Sequence, residues 1–245
     1  MIREYVRERN LRGAVYCSKF LRDLCVNLEL TNFVSEICGI DLLPHTMPQQ
    51  LGHTNFNPLE VGKHVDKWHV DTLRFDFVMF VTNPNDVAGG EFQYFKGTKH
   101  EVTELHSTAT PIPADKIVTP EFPNAGYAIM QQGNFIVHQA KSLQAVGERI
   151  TMVNGYIAAD PFIEDFTRYD QLTLVDPQEL ISAEYLRHVV IQARRQLEKG
   201  IGEIQFDTDN SLQYADLLEQ TAAGLVRAAQ QLRGSKSKDM EHFGT

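Results

Sequence analysis

Apolar positions change period twice along the chain, and each change predicts a change of element. Between residues 13 and 38, Cys17, Phe20, Leu21, Leu24 and Leu28 fall at helical spacing, with Val26 off the stripe. Thr31-Asn32 marks a break or a new cap before Phe33 and Val34, so this stretch reads as one or two helices packed outside a sheet. From about 50 to 158 short strand-like runs alternate with turn signals: Leu73 to Val81, Gly89 to Phe95, Gly126 to Met130, Asn134 to His138 and Arg149 to Ile157. From about 178 the helical period returns, in Gln178 to Lys199 and in Leu212 to Leu232, separated by Gly200-Ile201-Gly202. The expectation is a mainly β core of jelly-roll or sandwich type with flanking helices. Residues 1–49 form an N-terminal helical support, 50–158 the core and 178–234 C-terminal helices that cover the core or build a dimer.

Two stretches resist the pattern. Residues 39–63 are broken by Pro44, Pro48, Pro58, Gly52 and Gly62. Within them Gly52 to Asn57 reads as a short strand, which puts His53, Asn55 and Asn57 on one face. Residues 96–125 are polar and carry four prolines, the signature of a long functional loop or lid.

Composition narrows the class of partner. The 245 residues carry a formal net charge of −9, which points away from nucleic acid and from an anionic membrane surface. No apolar run reaches bilayer-spanning length, and the charged start, Met1 to Arg9, lacks the apolar centre of a signal peptide. Cys17, Cys25 and Cys38 are spaced for no zinc motif and read as reduced, mostly buried thiols. A cytoplasmic protein is expected. The tail from Arg233 to Thr245 is polar and reads as frayed.

The chemistry enters at Lys67-Trp68-His69-Val70-Asp71-Thr72. His69 and Asp71 are two apart in extended chain and point to one side, directly ahead of an apolar strand. His138, in another strand-like run, offers a third ligand. Two imidazoles and one carboxylate on one face of an ion, with the other face open, suit a non-haem iron centre. A rival His-x-Asp, His64 and Asp66, sits between lysines in a segment expected to be exposed. Eleven positions after His138 comes Arg149, with Thr151 on the same strand face. A guanidinium there suits the far carboxylate of a metal-chelating 2-oxo acid.

The order Trp-His-x-Asp, strand, Gly-Gly-Glu-x-x-x-Phe, His, ten residues, Arg-x-Thr resembles the Fe(II)/2-oxoglutarate-dependent oxygenases of the double-stranded β-helix fold. The resemblance covers residues 50 to 158. It implies that 1–245 is a single oxygenase domain. It implies Fe(II) held by His69, Asp71 and His138, and 2-oxoglutarate held by Arg149 with Thr151 and Asn55. O2 is then the oxidant, and succinate and CO2 are released. Asn-x-Asn ahead of Trp-His-x-Asp and Gly-Gly-Glu-Phe-x-Tyr is similar to a subgroup acting on free amino acids. Halogenases of that subgroup have a small residue where this chain has Asp71, so the resemblance implies hydroxylation, with cyclisation or desaturation as variants of the same start. His53, Asn57 and Arg74 are candidate substrate contacts. Rival classes are a non-catalytic cupin-like protein that binds metal or a small molecule, and a scaffold built on the C-terminal helices, which could also pair two copies.

Overall fold

The computed structural model describes residues 10–206, 209–234 and 243. The charged start and most of the tail lie outside the described residues. Among the described residues ten strands form two antiparallel sheets. They are β1 (Asn10–Leu11), β2 (Leu42–Pro44), β3 (His53–Phe56), β4 (Asp66–His69), β5 (Phe75–Phe80), β6 (Phe92–Phe95), β7 (Ile117–Val118), β8 (Ala128–Gln131), β9 (His138–Ala140) and β10 (Ile150–Ala158). One sheet runs β1-β3-β10-β5-β8 with β2 also on β10; the other runs β4-β9-β6-β7. From β3 to β10 successive strands alternate between the sheets, apart from β6 and β7, which pair with each other. That alternation is the winding of a double-stranded β-helix.

The central strand, β10, is buried on both faces. Its ladder partners show which residues share a side, because residues directly opposite point the same way. Thr151 lies opposite Asn55 on β3 and Phe80 on β5; Val153 lies opposite His53 and Val78. These face the barrel interior, where Val78, Phe80, Phe92 and Val153 pack together. Met152 and Tyr156 face outward and pack with Phe75, Phe77, Leu42 and Val34 under the N-terminal helices.

Those helices are α1 (Lys19–Cys25) and α2 (Leu28–Cys38). The break falls at Asn27, whose side chain accepts the Leu30 N–H at 2.9 Å, not at Thr31-Asn32. The sequence stripe is therefore split: Phe20 and Leu28 are 74 % and 71 % exposed, while Cys25, Thr31 and Val34 are buried. Cys17 is exposed as well, so only one of the three free thiols is fully buried.

The 96–125 stretch is more ordered than a loop. It carries α3 (Lys99–Ser107), opened by a capping box between Thr98 and Glu101. Val102 of α3 joins Phe95, Val137 and Phe243 in a cluster on the smaller sheet. Phe243 belongs to the tail read as frayed, yet it is buried, and its N–H donates to the Trp68 carbonyl at 2.7 Å.

The C-terminal helices are α4 (Tyr169–Val175), α5 (Gln178–Glu203) and α6 (Ser211–Gly234). Tyr169, Leu172, Ile181, Tyr185 and Ala228 close around Met47, which seats all three helices on the barrel. Helix accounts for 43 % of the described residues and strand for 19 %, so the β core is the smaller share by count. Among the described residues no helix is long and apolar enough to cross a membrane.

Candidate metal centre

His69 ends β4 and His138 begins β9, and the two are direct partners in the ladder. An irregularity between Asp66 and His69 sets the direction of the strand end. Each imidazole bonds through Nδ1 to a carbonyl two residues upstream, His69 to Lys67 at 2.6 Å and His138 to Ile136 at 2.9 Å. Nδ1 is thereby the donor, so Nε2 is the nitrogen that carries the lone pair in the neutral ring. Asp71, just past the end of β4, places Oδ1 3.5 Å from His69 Nε2 and Oδ2 3.3 Å from His138 Nε2. The three donor atoms lie within 4.8 Å of one another. The two ring planes meet at 55°, so one point can lie in both, as in-plane lone pairs require. Phe92 stacks on His138, with ring centroids 5.5 Å apart.

The local field favours a cation. Burial alone would lower the His69 pKa, but Asp66 and Asp71 outweigh it and raise it to about 10. Burial pushes Asp71 up, and the two imidazoles pull it well below the usual carboxylate range. Asp66, expected to be exposed with His64, has a side chain 46 % exposed, and its Oδ2 nonetheless lies 3.4 Å from His69 Nε2. His64 is exposed as expected.

Arg149, just before β10, is 2 % exposed. Its Nε donates to the Gly90 carbonyl at 2.6 Å, its NH1 reaches Thr151 Oγ1 at 3.4 Å, and its guanidinium lies 4.8 Å from the Phe80 ring centre. Burial lowers its pKa to about 10, while Asp66 and Glu91 oppose the shift from a distance. Among the described residues no carboxylate lies within ion-pair distance of it. A buried guanidinium in that state is a seat for an anion. A cavity of about 510 Å³ is bounded by Phe80, Gly90 and Phe92, two of which also hold Arg149.

The remaining candidates divide. Asn55 shares a face with Thr151. His53 is buried on that face with Nδ1 unpartnered, and burial, helped by Arg12, lowers its pKa to about 3. Asn57 is engaged locally: its Oδ1 accepts the Arg149 N–H at 2.8 Å and its Nδ2 donates to Pro58 and Gly147 carbonyls. It shapes the backbone that presents Arg149. The Arg74 guanidinium lies over Phe75, Phe135 and Phe166, and NH1 donates to the Glu164 carbonyl at 3.0 Å. It ties the 160–168 segment to the barrel.

Nothing in the hydrophobic pattern marks the 160–168 segment as part of a site. With α4, α5 and α6 it walls a cavity of about 680 Å³ that reaches Asp71 and Thr72. Gln131 and Asp76, both beside Asp71, were missed too. The available signal was a carboxylate in the middle of an otherwise apolar strand.

A second His/Asp/His group, His45, Asp165 and His188, borders the same cavity. Its two rings are stacked with planes 11° apart, and stacked parallel rings share no in-plane point for an ion. Its ring nitrogens are also engaged: His45 with Thr167 and the Met47 N–H, His188 with Thr46 and Asp165. It is a polar strut joining α5 and the 160–168 segment to the barrel.

No protein-family model matches the chain, and no curated protein matches it. Solved structures do. HygX from Streptomyces hygroscopicus, with nickel and 2-oxoglutarate bound, is 12 % identical over 65 % of this chain and 72 % of its own, with a TM-score of 0.45. EctD from S. alaskensis, with bound Fe, is 15 % identical over 61 % of this chain and 57 % of its own, also at 0.45. The non-heme alpha ketoglutarate dependent epimerase SnoN from nogalamycin biosynthesis is 14 % identical over 61 % and 60 %, at 0.40.

Proposed function

We propose that this chain is a non-haem Fe(II)/2-oxoglutarate-dependent dioxygenase that hydroxylates an unactivated C–H of a small molecule. The observation that carries this is the meeting of two cross-strand imidazoles and one carboxylate in the same barrel as a buried, unneutralised guanidinium. His69, Asp71 and His138 hold Fe(II). Arg149, with Thr151 and Asn55, receives the far carboxylate of 2-oxoglutarate. Bound iron supplies the oxidising chemistry, with O2 as oxidant and succinate and CO2 as co-products.

The protein's own part is placement and exclusion of water. The Lys67 and Ile136 carbonyls orient the imidazoles, and Phe92 covers one face of His138. Substrate occupies the 680 Å³ cavity over Asp71, walled by the C-terminal helices. A free amino acid or a related polar metabolite is the proposed class. His53, with Nδ1 free on the interior face, is the substrate-side contact from β3. Arg74 and Asn57 act indirectly, through the 160–168 segment and through Arg149. Asp71 fills the third metal position, which supports hydroxylation over halogenation. The three free thiols support a cytoplasmic setting. Leu186, Val190, Leu197 and Ile201 form an exposed stripe on α5 that supports pairing of two copies, which sedimentation would read.

The test is succinate formation from 2-oxoglutarate with Fe(II) and O2 across a panel of free amino acids and polar metabolites. Turnover with at least one substrate, absent in His138→Ala, is expected. Fe(II) binding with no succinate from any panel member would leave a metal-binding protein of the same fold.

A further inference from the structure

We propose that Gln131 and Asp76 position Asp71, and that they determine which of its oxygens meets the metal. This rests on the metal reading above. Asp76 on β5 and Gln131 at the end of β8 are direct partners in the ladder. Gln131 Nε2 donates to Asp76 Oδ1 at 2.8 Å and to Asp71 Oδ2 at 3.0 Å. An amide nitrogen carries two hydrogens, so both bonds form at once and fix the amide end that faces the carboxyls.

Asp76 has no exposure to solvent, and its Oδ2 has no hydrogen-bond partner. A carboxyl in the middle of a buried strand is destabilising, and its visible return is the grip on Gln131. Gly133 closes the arrangement from the other side. Its carbonyl accepts the Asp71 N–H at 2.8 Å, and a Cβ there would lie 2.1 Å from Asp76 Oδ2 and 2.9 Å from Asp71 Cβ. Asp71 is thus held at its backbone by Gly133 and at Oδ2 by Gln131. With one of the two Oδ2 lone pairs taken by Gln131, Oδ1 keeps both of its own and is the less encumbered donor to the metal. A carboxylate bound through one oxygen leaves half of an octahedron open, as a bidentate co-substrate and O2 require.

The test uses Co(II) as the probe, with its affinity for the apo-protein read by competition against a chromophoric chelator. The apo thermal midpoint is recorded alongside. Outer partners of metal ligands are worth roughly 10- to 100-fold in affinity, and a loss of that size is expected for Gln131→Leu. The visible spectrum of its Co(II) form should shift as the carboxylate changes its mode of binding. Asp76→Asn keeps an oxygen that accepts the Gln131 bond and should match wild type; Asp76→Leu should fall between. Wild-type affinity and spectrum in Gln131→Leu would overturn the proposal, and so would equal losses in Asp76→Asn and Asp76→Leu. If Gln131→Leu does not fold, Gln131→Met, closer in shape, takes its place. Failure of the metal reading looks different: His138→Ala would then bind Co(II) as wild type does.

Discussion

Arg149 shows how much a single side chain owes to its surroundings. Phe80 lies over its plane, the Gly90 carbonyl takes one donor, and Asn57 pins the backbone it leaves from. Lysine at this position keeps a charge but has no planar fork and no Nε–H for Gly90. Arg149→Lys is expected to weaken 2-oxoglutarate binding by roughly 10- to 100-fold with Co(II) affinity unchanged, as read by calorimetry on the Co(II) form. His69 and Asp71 were legible as a pair because residues two apart in extended chain share a side, whereas His138 and Arg149 were legible only through the order of the motif that carries the resemblance. Asp66 was not. Its approach to His69 depends on the irregular pairing of β4 with β9, and no spacing rule encodes that. Asp76 stands out as a carboxylate in an apolar run, but its link to Gln131 was not legible, for a related reason. Their contact is cross-strand, between runs more than fifty residues apart.

Among the elements, α3 is the most instructive. The proline-rich polar composition of its stretch reads as a lid, but Thr98-x-x-Glu101 is a start signal for a helix that needs no apolar periodicity. Thr98→Ala removes the side-chain acceptor for the Glu101 N–H and is expected to cost about 1 kcal/mol in a denaturation experiment. Only Lys99 of α3 borders the large cavity, so turnover should be nearly unaffected by this change. β4 and β7 carry no signal in the sequence, and the run Asn134 to His138 is mostly turn, with β9 beginning only at His138, but six of the eight core strands were legible because turn residues separate them. Their partners were not, since the exchange of strands between sheets depends on long-range closure. The N-terminal stripe failed at Asn27, where a local cap overrode a run of apolar residues at helical spacing.

At the scale of the molecule, the C-terminal helices make the barrel's roof, and the strut of His45, His188 and Asp165 helps to hold it there. Burial, and after it the neighbouring His188, lowers the His45 pKa to about 3, while Asp165 and a backbone hydrogen bond with Met47 oppose the shift. The folded state therefore keeps His45 neutral, whereas the unfolded chain takes up a proton near the ordinary histidine value. The unfolded state binds more protons between those values, so stability falls as pH drops from about 6.5 towards 3, by up to roughly 1.4 kcal/mol per unit. Asp165, held low by His188 against burial, adds its own loss only below the ordinary aspartate range. Unfolding midpoints measured across this window should slope less in His45→Gln than in wild type.

The ladder between β4 and β9 joins strands of four and three residues. Ladders that short have few amide bonds to resist opening. An ion gripped by His69 on one strand and His138 on the other would act as a rivet through the weakest seam of the barrel. Amide exchange should slow in β4 and β9 when Co(II) is added and stay constant in β10, whose nine residues lie between β3 and β5. Uniform slowing along the whole chain, or none in β4 and β9, would place the ion elsewhere.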